Sequence, residues 1–529
     1  MTINSLNFII FVAIVCLVYF IAPKKIKWII LLIANYIFYY LCSNWLIIYM
    51  LITTLSIYLI GLYIGKINIQ TKERCKKEEK IIKKKIKHKA EIKKKWAVAL
   101  AIIINFGLLI FLKYFNFLAE NINSLFGVLK IHIEVPFRKL LLPLGISYYT
   151  LQAISYVVDV YREKYQPDKN IGRVALFVSF FPQMVEGPIG RYDDLANQLY
   201  EPHKWNYERV KFGVQLMLWG YFKKIVIADR AALFVNEVFI NYQKYAGLPS
   251  FLAIALYTVQ IYAEFSGCID IVRGTAEILG INMAENFKRP FFSRSVQEFW
   301  RRWHITLGTW FKDYIFYPIS FSKLTANITA FSKKIFKNSY ITKIIPAIFA
   351  LFFVWLGNGI WHGASYKYIL YGLYYYAIMT LGMIFEPLMD KMLKLLKINK
   401  EVFSYKLCQI IRTTLFVMLG MLIFRSVDLH NAWEMFKGIF TRNNLEMLSS
   451  GKIFKIGMTR GDFLILFIGT LIMFTVSILQ EKGYKLREEI SKQNLPFRWI
   501  LYYLIIFTII IFGIYGPGYV ASDFIYGQF

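Results

Sequence analysis

The stretch GNGIWHGAS, residues 357–365, places His362 between two apolar segments, residues 344–356 and 366–383. Crossing a bilayer takes about 20 apolar residues, so neither segment makes a comfortable span by itself. The glycines around the histidine loosen a helix. The pattern therefore predicts a helix broken at membrane depth with an imidazole at the break, where an ionisable residue indicates function. The alternative is a histidine in a loop just outside the membrane.

The composition of the 529-residue chain is typical of a polytopic membrane protein. Hydrophobic residues make up 57% and aromatic residues 18% of the chain, and its mean hydropathy is +0.45. Long apolar runs exclude a set of soluble domains. The expected fold class is an all-α polytopic membrane protein with about 11–13 transmembrane or re-entrant helices and no separate soluble domain.

Further apolar runs mark the predicted spans. They lie at residues 7–21, 28–41, 45–65, 97–118, 140–160, 212–226, 251–265, 407–424, 463–479 and 499–514. Two prolines, two glycines and Glu186 interrupt the run FVSFFPQMVEGPIGRY, residues 177–192, which predicts a broken or re-entrant element. The span at 251–265 carries Glu264 and is followed by Asp270.

The net charge of +30 is interpreted as cytoplasmic segments near anionic headgroups rather than as a nucleic-acid-binding surface. Residues 66–95 hold fourteen lysines and arginines against four acids. This pattern predicts a solvated cytoplasmic loop or helix, with a docking site for an acidic partner as the alternative. Two crossings separate this run from the lysines at 24–27, so the positive-inside rule places Met1 outside.

Metal and disulfide chemistry have little support. The five cysteines form no CxxC pair, and the six histidines form no HExxH motif. No metal site is expected. Cys268 could act as a nucleophile, but a small apolar residue of the core is the simpler interpretation.

A second histidine lies in SRSVQEFWRRWHITLGTWFKDYIFYPI, residues 293–319. Ser295 and Glu298 have the spacing of a capping box, which predicts a helix start. At 3.6 residues per turn one face holds Trp300, Trp303, His304, Leu307 and Phe311, and the opposite face holds Glu298, Arg301, Arg302, Thr309 and Lys312. The segment is predicted to be an amphipathic helix at an interface or a cavity. His304 could simply be packed beside the aromatic residues.

These motifs together resemble the membrane-bound O-acyltransferase family, and within it the bacterial alginate O-acetyltransferase branch. The resemblance is carried by ENFKRPFFSRSVQEFWRRWHITLGTWFKDYIFYPI (285–319) and GIWHGASYKYILYG (359–372). PLGISYYTLQAISYVVDVYR (143–162), FFPQMVEGPIGRYDDL (180–195), YAEFSGCIDI (262–271) and the C-terminal FIYGQF (524–529) strengthen it. Gly527 departs from the aromatic residue expected there, which puts only that terminal contact in doubt.

The resemblance implies a helical core with a central tunnel, entered from the cytoplasm by a thioester donor and from outside by an acceptor hydroxyl. It implies a single integral-membrane domain, 1–529, with N-terminal spans at 1–65, a basic cytoplasmic loop at 66–95, a catalytic core at 97–400 and C-terminal spans at 401–529. Acetyl-coenzyme A is the expected donor, with no bound cofactor. An exported polysaccharide and an extracytoplasmic acetyl-relay protein are the expected partners, at the bacterial plasma membrane.

The resemblance also assigns the site residues. His362 matches the family's essential histidine, and imidazole suits the base that a hydroxyl nucleophile needs. His304 matches the second histidine, which is usually nearer the cytoplasm. Asn358 and Trp361 are the nearby candidates for an oxyanion or tunnel contact. Arg301, Arg302 and Lys312 are the candidates for binding donor phosphates at the cytoplasmic mouth, although lipid headgroups could occupy the arginine pair.

Two alternatives stay open at this point. D-alanyl transfer from a carrier protein toward teichoic acid keeps the enzyme class and changes the donor, which the basic run at 66–95 could dock. A transporter for a polysaccharide precursor would also use broken helices and an intramembrane glutamate. A transporter should have two halves with corresponding breaks, and the sequence has no internal repeat.

Overall fold

The computed structural model describes residues 1–76, 78–336, 339–442 and 444–515. Within these ranges the regular structure is helical, apart from one isolated antiparallel bridge between Phe287 and Trp303. The expected all-α class is confirmed. The α-helices are α1 (Leu6–Ile21), α2 (Lys27–Ser43), α3 (Ile47–Lys76), α4 (Lys80–Val128), α5 (Ile146–Tyr161), α6 (Ile171–Ser179), α7 (Phe181–Met184), α8 (Tyr192–Tyr200), α9 (Tyr207–Tyr221), α10 (Asp229–Ile240), α11 (Leu248–Leu279), α12 (Val296–Arg302), α13 (Ile305–Phe311), α14 (Tyr317–Ser320), α15 (Lys323–Ile335), α16 (Ser339–His362), α17 (Tyr366–Leu395), α18 (Phe403–Arg425), α19 (Leu429–Thr441), α20 (Glu446–Ser449), α21 (Arg460–Glu481), α22 (Leu486–Ser491) and α23 (Leu495–Phe512).

Eight helical stretches of the described chain are long and apolar enough to cross a membrane. They are Lys24–Lys76, Lys80–Val128, Leu248–Leu279, Tyr340–His362, Tyr366–Leu395, Phe403–Arg425, Arg460–Glu481 and Leu495–Phe512. The first of them contains both α2 and α3, which meet at Asn44, and α1 is a further, shorter apolar helix. The chain is a multi-pass membrane protein, as its composition predicts.

The chain divides into two compact units. The first comprises residues 1–214 and 272–284, and the second comprises residues 215–271 and 285–529. Both histidines singled out in the sequence belong to the second unit. Its buried core is rich in aromatic residues, including Phe299 of α12, Trp303 directly after it, Trp355 of α16, Tyr371 of α17 and Phe424 of α18. The division into one domain with four segments stays a prediction.

The basic segment at 66–95 is helical rather than a loop. Helix α3 continues to Lys76, and α4 begins at Lys80 and runs without interruption to Val128. Of the two forms allowed by the prediction, the described residues adopt the helical one, apart from residues 78–79 before Lys80. Lysine and glutamate are good helix formers, so the helices extend through the charged run instead of ending at the apolar boundary.

The helix break predicted within GNGIWHGAS is found at its end, at residues 363–365, directly after His362. Helix α16 continues through Gly357 and Gly359 and ends at His362, and α17 begins at Tyr366. The two helices have 24 and 30 residues, so each is long enough to cross a membrane and the prediction that neither half could do so is wrong. Polar residues at the far ends, such as Thr342 and Glu386, continue each helix beyond its apolar segment. His362 therefore lies at the break as predicted, but the break separates two full-length helices.

The segment at 293–319 is not one continuous helix either. The Ser295 side chain accepts a hydrogen bond from the Glu298 backbone N–H, as the capping pattern predicts. The Glu298 carboxylate, however, accepts from the Arg294 N–H rather than from the cap residue itself. The helix stops at Arg302, and a second short helix, α13, starts at Ile305. His304 lies in the gap between them.

Other predicted elements are found with changed bounds. In 140–160 the helix starts only at Ile146, and 212–226 lies within a helical stretch that runs through a π-helical segment, Phe222–Ala228, into α10. The broken element at 177–192 is confirmed, since α6 ends at Ser179 and only the four-residue α7 precedes residues 185–191, which are not helical. The terminal FIYGQF lies outside the described residues.

Candidate active site

His362 lies where three helix ends of the second unit meet. It is the last residue of α16, and its ring contacts Tyr368 in the first turn of α17 and Phe424 in the last turn of α18. The ring centroids of Phe424 and Tyr371 lie 5.1 and 5.6 Å from that of the imidazole, both edge to face. The residue is 3% exposed. The catalytic candidate is thus enclosed by aromatic rings instead of lying in a solvated loop.

Glycines allow α16 and α17 to cross closely beside this site. A Cβ atom on Gly359 would lie 2.3 Å from the Tyr368 carbonyl oxygen, and one on Gly372 would lie 2.2 Å from the Trp355 carbonyl oxygen. Only glycine leaves room for backbones this close, as in other membrane helix pairs. The glycines that suggested a broken helix therefore serve helix packing, and this packing sets the position of His362.

His304 adopts a left-handed backbone conformation, with φ 47° and ψ 52°. Few residues other than glycine adopt this conformation. It interrupts the helical backbone between the end of α12 at Arg302 and the start of α13 at Ile305. Extended pairing holds the break in place, because the Lys288 N–H donates to the Arg302 carbonyl at 2.9 Å and the Ile305 N–H donates to the Asn286 carbonyl at 3.0 Å. The break turns His304 into the interior, where it is 3% exposed.

The His304 imidazole is held from one side by an asparagine. Its Nδ1 atom lies 3.2 Å from Asn286 Oδ1, which also accepts hydrogen bonds from the Thr306 backbone N–H at 3.0 Å and from the Thr306 hydroxyl at 2.9 Å. The Phe265 ring packs edge to face on the imidazole at 4.8 Å. Burial lowers the pKa of the His304 imidazole to about 3, so it is neutral at physiological pH.

Trp361 joins the two histidines. Its ring centroid lies 6.1 Å from that of His304 and 5.1 Å from that of His362. The sequence separates the two imidazoles by 58 positions, and the fold brings both against one indole. Aromatic neighbours exclude water and lower the local dielectric constant, which strengthens any hydrogen bond formed to a reacting group there.

Asn358 precedes His362 by one helical turn and is also buried, with 7% of its surface exposed. Its Oδ1 atom has no hydrogen-bond partner among the described residues. Leaving a buried polar atom unsatisfied costs about 1–3 kcal/mol, so this amide suits a contact with a bound molecule. The two ends of an amide are interchangeable by rotation about the terminal bond, so Asn358 can also present its N–H groups to a developing oxyanion.

The three cationic candidates for donor binding have different surroundings. Arg302 pairs with Glu298 at 2.6 Å and with Glu481 at 2.9 Å, and Glu481 also pairs with Arg289. Arg301 is exposed. Lys312 is exposed too, and it follows Phe311, whose ring would lie 3.2 Å from a Cβ atom on Gly357. Lys312 thus lies beside the C-terminal half of α16. Among the described ion pairs, none links two of these three cationic residues to the same carboxylate.

The sequence analysis missed several polar residues of the second unit. Asn286 was part of a quoted motif, but nothing in the sequence indicates its contact with a residue 18 positions later. Lys223 and Lys224 lie within a predicted span, which was a detectable signal. Lys224 Nζ lies 2.8 Å from both Asp229 and Glu264, and Lys223 Nζ lies 2.7 Å from Asp270. The described residues hold no group of three side chains suited to a metal ion.

Comparison with known proteins identifies the fold family. Residues 168–332, which include His304, match the model of the membrane-bound O-acyltransferase family. A probable alginate O-acetylase from Pseudomonas syringae pv. tomato is 30% identical over 426 residues, covering 80% of this chain and 72% of the relative.

Two further relatives act on other polymers by name. A peptidoglycan O-acetyltransferase from Helicobacter pylori is 29% identical over 390 residues, covering 68% of this chain and 67% of the relative. A teichoic acid D-alanyltransferase from Bacillus subtilis is 30% identical over 294 residues, covering 54% and 70%. The chain belongs to the membrane-bound O-acyltransferase family and is an O-acyltransferase.

Proposed function

We propose that this protein transfers an acetyl group from acetyl-coenzyme A in the cytoplasm to hydroxyls of an exported polysaccharide, directly or through an extracytoplasmic partner. The observation that carries the proposal is the buried contact chain from His304 through Trp361 to His362. The O-acetylating relatives support the acetyl group and the polymer acceptor.

His362 is the proposed general base. It takes the proton of the acceptor hydroxyl as that oxygen forms a bond to the thioester carbonyl carbon. The tetrahedral intermediate collapses with cleavage of the C–S bond, and the leaving thiolate receives the proton from the imidazolium of His362. The products are an ester and a free thiol, so no proton is gained or lost overall. Asn358 is the proposed donor to the oxyanion, and no acyl-enzyme at Cys268 is needed.

A tunnel for this reaction avoids a large electrostatic cost. Moving coenzyme phosphates into hydrocarbon is prohibitive, whereas a bound thioester can reach the site while its phosphates stay in water. Arg301, Arg302 and Lys312 remain the proposed phosphate contacts. The pairing of Arg302 with two carboxylates favours Arg301 as the more available arginine.

The test is a proteoliposome assay with labelled acetyl-coenzyme A on one side only. Label should reach an acceptor on the opposite side with wild-type protein and not with His362→Gln. His430→Gln is the matched control, because His430 is an exposed histidine of the same unit. Transfer by His362→Gln at the rate of the control would remove the imidazole from the mechanism.

D-alanyl transfer is the second candidate, supported by the similarity to the Bacillus subtilis enzyme and by the basic helices at 66–95. The same proteoliposomes can receive a D-alanylated carrier protein in place of the coenzyme. Activity with the carrier protein alone would replace acetyl transfer by D-alanyl transfer. The transporter alternative is not supported, since all three relatives described above are named for transfer reactions.

A further inference from the structure

The hydrogen bonds around Asn286 determine which atom of its amide faces His304. The atom nearest to His304 Nδ1 also receives the Thr306 backbone N–H at 3.0 Å. A backbone N–H can only donate, so this atom must be the carbonyl oxygen and the amide cannot be rotated by 180°. Asn286 is fully buried, which removes water as a competing partner.

An oxygen that only accepts leaves one possibility for the neutral imidazole. Nδ1 must carry the proton and donate it to Asn286 Oδ1 at 3.2 Å. Neutral imidazole has one protonated nitrogen, so Nε2, at the far end of the ring, carries the lone pair. We propose that Asn286 is a positioning residue that holds His304 in the Nδ1–H tautomer, so that His304 offers substrates a hydrogen-bond acceptor at Nε2. This inference rests on the proposed role of His304 in acyl transfer.

Asn286 also has a purely structural task. Its two carbonyl oxygens receive the N–H groups of Ile305 and Thr306, which are the first two residues of α13. The Asn286 side chain thus accepts a hydrogen bond from the first turn of α13, as an N-cap side chain does, although Asn286 is distant in sequence from that helix. A test must therefore keep the cap while changing the environment of the imidazole.

Asn286→Asp meets this condition. Aspartate is as good a cap as asparagine and accepts the same three hydrogen bonds. Its negative charge beside Nδ1 stabilises the imidazolium, so the variant raises the pKa of His304. Once protonated, the ring loses the Nε2 lone pair and can only donate. The variant should therefore lose activity at low pH, where wild-type His304 stays neutral.

The described neighbours of the imidazole include charged groups that are paired with one another. Phe265, Trp361 and Asn286, which contact the ring, do not titrate near neutral pH. On the adjoining elements, Arg302 is paired with Glu298 and Glu481, and Glu264 beside Phe265 is paired with Lys224. These ion pairs are unchanged in Asn286→Asp, so they do not account for a new pH dependence.

The experiment measures kcat and KM between pH 6 and pH 8.5 for wild type, Asn286→Asp, His304→Gln and the double variant. Relative to wild type, Asn286→Asp should lose about tenfold in kcat per pH unit below its new pKa and be close to wild type at the alkaline end. The acid loss should disappear in the double variant, because it needs the imidazole. Superimposable profiles for wild type and Asn286→Asp, or an acid loss that persists without His304, would reduce Asn286 to a helix cap.

A second readout does not need activity and separates this inference from the proposed function. The unfolded state binds a proton at His304 below about pH 6.5, whereas the folded wild type does not until about pH 3. Wild-type stability therefore falls with decreasing pH in this window, by up to about tenfold in the unfolding equilibrium constant per unit. The melting temperature of Asn286→Asp should fall less between pH 7.5 and pH 5, and only when His304 is present. An equal fall in both proteins would overturn the inference even if no acyl transfer were ever detected.

Asn286→Ser provides an independent variant if the aspartate does not accumulate. Serine also caps helices, but its hydroxyl can donate as well as accept, so the tautomer of His304 is no longer determined. We expect kcat to fall about tenfold with KM unchanged, the size of a lost positioning hydrogen bond. A wild-type kcat in this variant would contradict the proposal.

Discussion

The second unit buries two sets of ionisable residues in opposite ways. In the first set, Lys224 Nζ lies 2.8 Å from the carboxylates of both Asp229 and Glu264, and the neighbouring Lys223 pairs with Asp270. His304 and His362 are buried among aromatic rings, and the amide of Asn286 holds one of them. In the first set, each lysine faces a carboxylate. The proposed chemistry lies with the second set, where His362 is the proposed general base and His304 the proposed hydrogen-bond acceptor.

The largest expected effect on turnover comes from His362→Gln. Removal of a general base costs about 10²–10⁴-fold in rate, and the aromatic contacts of His362 can largely be kept by a side chain of similar size. The purified variant should have a normal melting temperature and a turnover lower by that factor. An unfolded variant would show instead that His362 is mainly a packing residue.

The largest expected effect on stability comes from Lys224→Met. The substitution leaves Asp229 and Glu264, with side chains 1% and 3% exposed, without their cation. Breaking a buried pair in this way costs about 3–5 kcal/mol, so we expect poor accumulation or a much lower melting temperature in detergent.

Lys400→Met is the control for that variant. It removes an ion pair with Asp390 whose side chains are 47% and 49% exposed, so water screens the pair and the melting temperature should hardly change. Equal melting temperatures for the two variants would show that the buried ion pairs of Lys224 do not stabilise the fold more than an exposed pair does.

The crossing of α16 and α17 should be sensitive to a single methyl group. Gly359→Ala places a Cβ atom 2.3 Å from the Tyr368 carbonyl oxygen, so the helices must separate and His362 must shift. We expect a loss of about 1–3 kcal/mol in stability together with reduced turnover. Gly382→Ala in the same helix pair has open space around it and should be neutral or slightly stabilising. A wild-type turnover in Gly359→Ala would show that the close crossing does not position the histidine.

A smaller effect separates the backbone role of His304 from its side-chain role. His304→Ala must adopt φ 47° without a side chain suited to it, whereas asparagine tolerates the left-handed region better. Both variants should lose activity, but His304→Asn should be more stable than His304→Ala by about 1 kcal/mol. Equal stability would indicate that the break between α12 and α13 relaxes when the histidine is absent.

The sequence predicted the helices and the two histidines better than it predicted the backbone around them. Apolar runs of span length predicted the helices well, and His362 and His304 were identified from motifs. The break in GNGIWHGAS was predicted, but the two full-length helices beside it were not. Glycine weakens an isolated helix but also permits close helix crossing, and a sequence alone does not show which effect prevails. The bend at His304 escaped prediction because a non-glycine residue in the left-handed region is stabilised by contacts with residues 286–288, which are distant in sequence.

The sequence by itself determined that the chain is a helical membrane protein, because the length and apolarity of its runs leave no other way to satisfy the backbone in lipid. It also predicted acyl transfer, because the motifs around His304 and His362 resemble those of the membrane-bound O-acyltransferase family. Only the tertiary structure decided that one indole joins both imidazoles, that Arg302 is engaged by two carboxylates, and that Asn286 faces His304. Each of these arrangements includes a contact between residues distant in the chain, namely Trp361 with His304, Arg302 with Glu481 and Asn286 with His304. Their geometry depends on how the helices pack, which no local pattern encodes.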